Sequence, residues 1–355
     1  MTMLDAKVPS GAQDDAAKRD GDARPVRFIP DRGDAPALAL LRSWETLLLA
    51  LIAAIVTAAS LASPYFLDIW NLSDATFNFT EKAIVALALA FVILSAEIDI
   101  SVAGIIALAS TMMGMTAAAG HPAAVIVAVG LATGLACGAL NGVLVTVLEL
   151  PSIVATIGTM SLFRGLAYGI LGDGAYTRYP AEFAYFGQGY VWEWLSFEFT
   201  VFLGLALLAG IVLHGTAFGR TVRAIGHNPA AAEFSGLRVR RVKFWLFLAA
   251  GLAAGLASVM LTSRLGSTRP SIATGWELDI VTMVVLGGVA ITGGTGTIPG
   301  VVLAALVMGL LTFGLGLLNV SGIIMSIVVG AMLITVVALP ILLRRLSARL
   351  RRPAA

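Results

Sequence analysis

The sequence predicts an all-α, polytopic membrane protein. Of its 355 residues, 58% are hydrophobic and 12% are charged, and the mean hydropathy is +0.92. Average soluble domains have roughly 45–50% apolar and 25% charged residues, so a soluble globule could not bury this much apolar surface. A cytosolic enzyme, a nucleic-acid-binding protein and a disulfide scaffold are excluded. The one cysteine, Cys137, cannot form an intramolecular bridge and is interpreted as a packing residue.

Three domains follow from the distribution of polar residues. Residues 1–43 are rich in Asp, Arg, Pro and Ala and predict a disordered cytoplasmic tail. Residues 44–343 predict the transmembrane domain, and residues 344–355 predict a basic cytoplasmic tail.

The transmembrane domain contains about ten apolar segments, most of them near the ~20 residues that a bilayer requires. Helices are favoured because a helix satisfies its own backbone in lipid, and the segments lack the alternation of a membrane barrel. The predicted spans are residues 44–63, 82–97, 101–119, 123–148, 153–171, 200–214, 244–262, 280–292, 299–318 and 323–343.

The orientation follows from the basic residues. Of the 23 Lys and Arg residues, 18 lie in residues 1–43, 214–243 and 344–355. Cytoplasmic segments carry such an excess, so both termini and the internal loop 214–243 are predicted to be cytoplasmic.

Two short acidic runs indicate a repeat. Glu97-Ile98-Asp99-Ile100 begins the third predicted span, and Glu277-Leu278-Asp279-Ile280 begins the eighth. Five spans separate them, which predicts an inverted repeat of two five-helix halves, a common arrangement in transporters. The alternative is a chance match between acidic helix starts.

Polar residues in or beside the spans are candidates for a substrate pathway, because a polar group in hydrocarbon needs a partner or a wet cavity. These candidates are Ser95, Glu97, Asp99, Ser101, Asn141, Thr156, Thr159, Arg164, Glu277 and Asp279. The alternatives are a solvated turn for the carboxylates and a structural ion pair of Arg164 with Glu97 or Asp99.

The fourth span carries glycines at strict four-residue spacing: Gly130, Gly134, Gly138 and Gly142. They share one helix face and predict close packing of a second helix. Gly251 and Gly255 form a weaker version in the seventh span.

The basic loop 214–243 contains the signals of a short helix. Asn228 suits the N-cap and Pro229 the first helical position, so Ala230 to Ser235 would be helical and Gly236 would be the C-cap. A capped helix there is a surface that a partner can bind. The alternative is a loop that only fixes the topology.

Cofactor and catalytic motifs are not found in the sequence. None of the four lysines follows a glycine, so there is no Walker A loop. His121, His214 and His227 share no metal motif, and no metal site or catalytic set is predicted.

Several motifs resemble those of one transporter family. They are Ile98-Asp99-Ile100-Ser101-Val102, Leu140-Asn141-Gly142, Ala155-Thr156-Ile157-Gly158-Thr159-Met160, Phe163-Arg164-Gly165, Gly219-Arg220, Ala224-Ile225-Gly226-His227-Asn228, Ala231-Ala232, Ser263-Arg264-Leu265-Gly266-Ser267, Gly275-Trp276-Glu277-Leu278-Asp279 and Val284-Val285-Leu286-Gly287-Gly288. Over about residues 70–340 the chain resembles the membrane permease subunits of the ribose, xylose and arabinose class of bacterial ABC sugar importers. Ala96-Glu97 departs from the two glycines usual in that family, and is more similar to the branch associated with rhamnose.

The resemblance implies a permease, without enzymatic activity of its own, that moves a monosaccharide across the bacterial inner membrane by alternating access. It implies three protein partners: a cytoplasmic ABC ATPase, a second permease subunit (identical or paralogous) and a periplasmic sugar-binding protein. No nucleic acid is implied. The loop helix would be the coupling helix that contacts the ATPase, and its candidate residues are Arg220, Arg223, Asn228, Pro229, Glu233, Ser235 and Gly236.

Other classes remain as alternatives. A self-sufficient secondary transporter could use protons through Glu97, Asp99 or Glu277, but it would not explain the capped helix. A membrane enzyme would need a clustered reactive set, which is not visible, and a passive channel would not need a docking loop.

Overall fold

The computed structural model describes residues 44–332 together with residues 334, 335 and 338. The predicted tails, residues 1–43 and 344–355, lie outside the described residues, as does most of the second half of the last predicted span.

Helices form nearly all the regular structure of the described residues. In chain order they are α1 (Trp44–Ala62), α2 (Ile69–Phe77), α3 (Thr80–Leu94), α4 (Val102–Ala118), α5 (Ala123–Thr146), α6 (Ser152–Leu171), α7 (Tyr185–Gln188), α8 (Phe197–Gly210), α9 (Ala217–His227), α10 (Pro229–Phe234), α11 (Val239–Leu265), α12 (Trp276–Leu286), α13 (Ile298–Leu317) and α14 (Gly322–Met332). A 3-10 turn at Ala181–Ala184 precedes α7, and a π-helical turn at Ile211–Gly215 continues α8.

One small element departs from the all-α expectation. Strands β1 (Tyr190–Trp192) and β2 (Leu195–Ser196) pair antiparallel as a hairpin between α7 and α8. The Ser196 hydroxyl then accepts a hydrogen bond from the amide of Phe199 and caps α8.

Six helices are long and apolar enough to cross a membrane: α1, α5, α6, α8 with its π turn, α11 and α13. A seventh crossing results if α2 and α3, which meet at a 53° bend, count as one broken span. The protein is therefore a polytopic α-helical membrane protein, as predicted. The count of ten crossings is not established, because α3, α4, α12 and the described α14 overlap predicted spans but have only 11 to 17 residues.

Backbone turns end two helices earlier than the hydropathy predicts. The second predicted span runs to residue 97, but α3 ends at Leu94 because Ala96 has φ +62°. The eighth runs to residue 292, but α12 ends at Leu286, just before Gly288 at φ +82°. A Cβ on Gly287 would lie 2.6 Å from the Cα of Val301, so glycine is required where α13 crosses this turn.

The centre of the molecule is formed by α3, α4 and α11, with α5 packed along α11. The face between α5 and α11 contains the predicted glycines. A Cβ on Gly134 would lie 2.8 Å from the Cα of Gly255, and a Cβ on Gly138 would lie 2.9 Å from the Cα of Gly251. The outer members face side chains instead, since Gly130 lies against Met113 and Gly142 against Phe244.

Ion pairs mark the two ends of α11. Lys243, near its first residue, pairs with Glu97, and Arg264, near its last, donates from Nε to Oε1 of Glu81 at 2.8 Å. These two basic residues are about 31 Å apart at 1.5 Å per residue. That spacing matches the hydrocarbon thickness of a bilayer. We call the Val239 end of α11 the basic end and the Leu265 end the far end.

Candidate functional site

The segment between α8 and α11, residues 216–238, carries a short exposed helix. We call it the basic segment. Asn228 Oδ1 accepts from the amide of Ala231 at 3.0 Å, Pro229 is the first residue of α10, and Gly236 follows the helix at φ +82°. The N-cap and the initial proline are where the sequence predicts them, and the helix runs one residue earlier, over Pro229–Phe234.

The outer surface of the basic segment carries both polar and apolar side chains, and Phe234 is its most exposed large apolar residue. The predicted contact residues Arg220, Glu233 and Ser235 are exposed. Phe234 is 95% exposed, which is unusual for a phenylalanine outside the membrane-spanning helices. An exposed aromatic residue beside charges is typical of a protein-binding surface. The sequence reasoning missed Phe234, although an aromatic residue at the end of a short polar helix was a signal that could have identified it.

The inner surface of the basic segment is seated on two loops. A Cβ on Gly226 would overlap the carbonyl oxygen of Leu94, at the end of α3, and the backbone of Gly294, in the α12–α13 loop. Arg223 Nη2 donates to the carbonyl of Gly296 at 3.2 Å. These contacts join the basic segment to the end of α3, where the α3–α4 loop (residues 95–101) begins, and to the α12–α13 loop (residues 287–297).

The α3–α4 loop holds a buried polar network. Asp99 Oδ1 accepts from the amide of Ser101 at 2.9 Å and from its hydroxyl at 2.6 Å, and Asn141 Nδ2 donates to Ser101 Oγ at 2.7 Å. All three side chains are fully buried. Among the described residues neither Asp99 Oδ2 nor Asn141 Oδ1 has a hydrogen-bond partner. Two acceptors therefore remain available at the centre of the helix packing.

The other predicted pathway hydroxyls are also buried, and they bond mainly within their own helices. Ser95 Oγ donates to the carbonyl of Val92 at 2.7 Å, and Thr156 Oγ1 donates to that of Ser152 at 2.8 Å. Thr159 Oγ1 donates more weakly to the carbonyl of Thr156 at 3.3 Å. Thr156 Oγ1 also lies 3.4 Å from the carbonyl oxygen of Ile98, the residue before Asp99. In this conformation all three hydroxyl groups are closed off from solvent.

The carboxylate of Glu97 is held by a lysine. Glu97 and Lys243 are 14% and 16% exposed at their side chains and form an ion pair. A second pair, Arg240 with Glu149 at 2.5 Å, lies nearby on α11 but is mostly exposed. The acidic residue that replaces the expected glycine is therefore matched by a basic residue on α11.

Arg164 forms neither of the ion pairs considered for it. Its Nη1 donates to the carbonyls of Pro270 at 2.8 Å and Ile272 at 2.5 Å, and its Nη2 donates to that of Ala103 at 3.2 Å. The guanidinium thus joins α6 to α4 and to the loop before α12. Backbone carbonyls satisfy it, which is one of the ways an arginine is tolerated within the membrane.

Asp279 lies away from the Asp99 network, towards the far end of the molecule. Lys82 Nζ donates to Asp279 Oδ2 at 2.5 Å and lies 4.9 Å from the ring centroid of Trp276. This pair borders a cavity of about 440 Å³, also lined by Asn78, Thr312 and Ser326. Glu277 is partly exposed at the start of α12. The two acidic runs are therefore in separate places.

Hydroxyl groups tie the far end together. Ser110 Oγ lies 2.7 Å from both Thr262 Oγ1 and Thr268 Oγ1, and the Tyr179 hydroxyl lies 2.6 Å from Thr268 Oγ1. Burial raises the pKa of Tyr179 to about 12, so this phenol stays protonated. The network joins α4, α11 and the long loop before α8.

Comparisons with known proteins identify the class. The fold is that of a multi-pass α-helical membrane protein. Residues 71–337 match the family described as the branched-chain amino acid transport system permease component. That match covers most of the chain, and the chain belongs to this permease family.

The chain is also similar to individual sugar permeases. The chain is 36% identical to the ribose import permease protein RbsC of Bacillus subtilis, covering 80% of this chain and 89% of the relative. It is 32% identical to the L-arabinose ABC transporter permease protein AraH of Azospirillum brasilense, covering 87% and 92%. RbsC of Escherichia coli K12 is 34% identical, covering 83% and 94%. No solved structure gives a significant match.

Proposed function

We propose that this chain is the transmembrane permease subunit of an ATP-driven importer that moves a monosaccharide across the bacterial inner membrane by alternating access. Family membership and the named sugar permeases support the class. The observation that carries the coupling to ATP is the exposed helix α10, which presents Phe234 and Glu233 on a segment seated against two internal loops.

The partner at the basic segment is a cytoplasmic ABC ATPase. Phe234 enters an apolar pocket of that subunit, and the surrounding basic residues meet acidic groups at its edge. When ATP closes the ATPase pair, α10 moves and α9 carries the movement to the α3–α4 and α12–α13 loops. ATP and substrate thereby shift the permease between states through their differential affinities.

Opening of the α3–α4 loop exposes the Asp99 network to the substrate pathway. Asp99 Oδ2 and Asn141 Oδ1 are buried acceptors without partners among the described residues. Such groups destabilise the closed state, because a buried acceptor without a hydrogen bond costs about 1–3 kcal/mol. In the open state they accept hydrogen bonds from the hydroxyls of a passing sugar, which has donors to offer.

A second permease subunit packs against α6. This helix carries Gly165 and Gly169 at the spacing of a helix-association motif, and around each of them the space is open. Val154, on the same helix, is 65% exposed. A paired permease would bury this face and place two copies of Arg164 and of the Asp99 network beside a shared central path.

The basic end faces the cytoplasm, as do both termini, by the positive-inside rule. The full transmembrane domain makes ten crossings in two halves of opposite topology. Two sets of ion pairs support this. Glu97 pairs with Lys243 at the basic end of α11. Asp279 pairs with Lys82, and the residue before Lys82, Glu81, pairs with Arg264 at the far end. The two acidic runs are thus at opposite ends of one helix.

The cargo is a monosaccharide, delivered to the far end by a periplasmic sugar-binding protein. The names of the relatives favour a pentose such as ribose or arabinose. A rhamnose-like sugar, suggested by Glu97, stays a prediction. The cavity beside Lys82 and Asp279 is a polar recess at the end where the sugar would be released from the binding protein.

Co-purification tests the coupling helix. The full chain is extracted from its native membrane in mild detergent as wild type, Glu233→Arg and Phe234→Ala. We expect a Walker-type ATPase to accompany the wild type and to be reduced at least tenfold with either variant, since an interface aromatic contributes about 2 kcal/mol or more.

Trp192→Ala is the matched control, because Trp192 is 69% exposed but lies on the β hairpin outside the basic segment. It should retain the ATPase. Absence of an ATPase from every sample would contradict the importer and would favour a proton-driven secondary transporter.

A further inference from the structure

One buried carboxyl group at the far end takes no part in the proposed transport mechanism. Glu198 is in the first turn of α8, and its side chain is fully buried. Among the described residues neither of its carboxyl oxygens has a hydrogen-bond partner. If ionised, this carboxylate would have no hydrogen bond from the described residues to stabilise its charge.

Glu198 belongs to a small charged cluster. Glu81 on α3 and Arg264 on α11 are close enough for their charges to act on Glu198. Glu81 is also fully buried; its Oε1 binds Arg264, and its Oε2 has no partner among the described residues. The cluster therefore offers three unpartnered oxygen atoms on two carboxyl groups, facing one guanidinium.

The charges around the cluster do not balance if both glutamates are ionised. Lys82, the next residue after Glu81, also acts on Glu81, but it is paired with Asp279 on α12. On α2, Asp74 accepts a hydrogen bond from the Tyr190 hydroxyl at 2.9 Å. Two carboxylates and the single guanidinium of Arg264 leave one net negative charge in the protein interior.

The packing around the cluster covers both carboxyl groups, whereas Arg264 keeps 23% of its side chain exposed. Gly187 of α7 lies so close to the backbone of Met260 and Arg264 that a Cβ there would overlap it. The ring of Phe197 lies against Tyr185, with centroids 5.2 Å apart, and against Phe186, at 5.9 Å. An uncompensated charge in such surroundings costs several kcal/mol, and the group binds a proton instead.

We propose that the Glu81–Glu198–Arg264 cluster is a proton-binding site at the far end of the permease, with the proton held on Glu198. With that proton bound, the net charge of the cluster is zero. A proton fits better than a metal ion, because the described residues contain no group of three or more metal ligands of the His, Cys, Asp or Glu type.

The location gives the proton a structural role. The cluster joins the far ends of α3, α8 and α11, and α8 and α11 carry the basic segment between them at their other ends. Loss of the proton would leave repulsion between α3 and α8 and would weaken this junction. The external pH thus biases the same two helices that the ATPase moves from the opposite side.

Infrared spectroscopy of the full chain in lipid nanodiscs tests the proposal directly. At neutral pH the difference spectrum of wild type minus Glu198→Gln should show the C=O stretch band of a buried protonated carboxyl group. The fully buried Asp99 carboxyl is common to both proteins and cancels in this difference. Glu149→Gln is the matched control, because Glu149 is an exposed member of the Arg240 pair and should leave the band unchanged. A difference spectrum without the band would overturn the proposal.

Thermal unfolding provides an independent measurement. The folded state holds a proton that the unfolded state releases, so the wild-type Tm should fall as the pH rises above about 5. Glu198→Gln imitates the protonated carboxyl and should flatten this dependence, with a Tm at pH 5 within about 2 °C of wild type. The Tm is also compared in NaCl and in choline chloride. A rise with NaCl alone, whether in both proteins or only in wild type, would indicate a bound metal ion and would contradict the bound proton.

Discussion

Glu97 and Lys243 form a partly buried pair at the point where the α3–α4 loop meets α11. Removing one member of such a pair leaves an uncompensated charge, whereas removing both leaves a neutral contact. Arg240, one turn earlier on α11, forms an exposed pair with Glu149. Loss of either member of this exposed pair should cost little, because water screens both charges. The two pairs therefore allow a comparison within one helix.

We expect Lys243→Met to lower the free energy of unfolding by roughly 2 kcal/mol or more, because the Glu97 carboxylate is left without its partner. The double variant Glu97→Gln/Lys243→Met should recover at least half of that loss. Arg240→Met should change it by about 0.5 kcal/mol or less. Thermal and denaturant unfolding in detergent micelles measure all three. Glu97→Gln is also measured alone. If the effects of Glu97→Gln and Lys243→Met add up to that of the double variant, the pair is not coupled.

At the scale of elements, α9 links the exposed helix α10 to the interior. Gly226 is the position where it touches both the end of α3 and the α12–α13 loop. Contact of this kind transmits a displacement only while the two backbones stay close. A side chain at this position would separate α9 from both loops without altering the surface of α10.

Gly226→Ala is therefore expected to reduce ATP-driven sugar uptake by about tenfold, since overpacking costs roughly 1–3 kcal/mol. Uptake of radiolabelled pentose into vesicles containing the complete transporter measures the effect. Binding of the ATPase should persist, because Phe234 is unchanged. Gly204→Ala on α8, where the surroundings are open, is the control and should transport normally. Equal loss of ATPase binding would indicate a folding defect.

At the scale of the whole molecule, the orientation can be tested with single cysteines. Cys137 is buried, so Cys137→Ser gives a background without a reactive thiol. In it, Ser235→Cys should react with a membrane-impermeant maleimide only in inside-out vesicles, and Glu193→Cys only in intact cells with a permeabilised outer membrane. Labelling of both from the same side would contradict the proposed topology.

Local patterns in the sequence predicted the parts of this molecule that depend on neighbouring residues. The cap at Asn228 and the glycines at Gly134 and Gly138 depend on spacing within one helix, and the structure has them at the predicted positions. The Glu81–Glu198 cluster could not be predicted in this way. Each glutamate stands near the start of a helix, where an acidic residue is ordinary, and only the packing of α3 against α8 brings them together.

Helix ends were harder to predict for a related reason. Hydropathy continues through Ala96 and Gly288, and the chain turns there because of contacts that the apolar pattern does not record. The described part of each predicted span therefore lies on a helix, but the predicted last residues of the spans on α3 and α12 lie beyond the observed helix ends. Arg164 shows the same limit, since its three carbonyl partners come from residues that are distant in sequence.

The ion pairs at the two ends of α11 also set a preference for the surrounding lipid. Neither pair can be drawn into hydrocarbon cheaply, so α11 accommodates a thinner bilayer by tilting, whereas a thicker bilayer has to thin around it. A tilt would change the separation between the basic segment and the far-end cluster along that normal. The length of the lipid acyl chains should therefore tune the transport rate, with an optimum near a hydrocarbon thickness of about 30 Å.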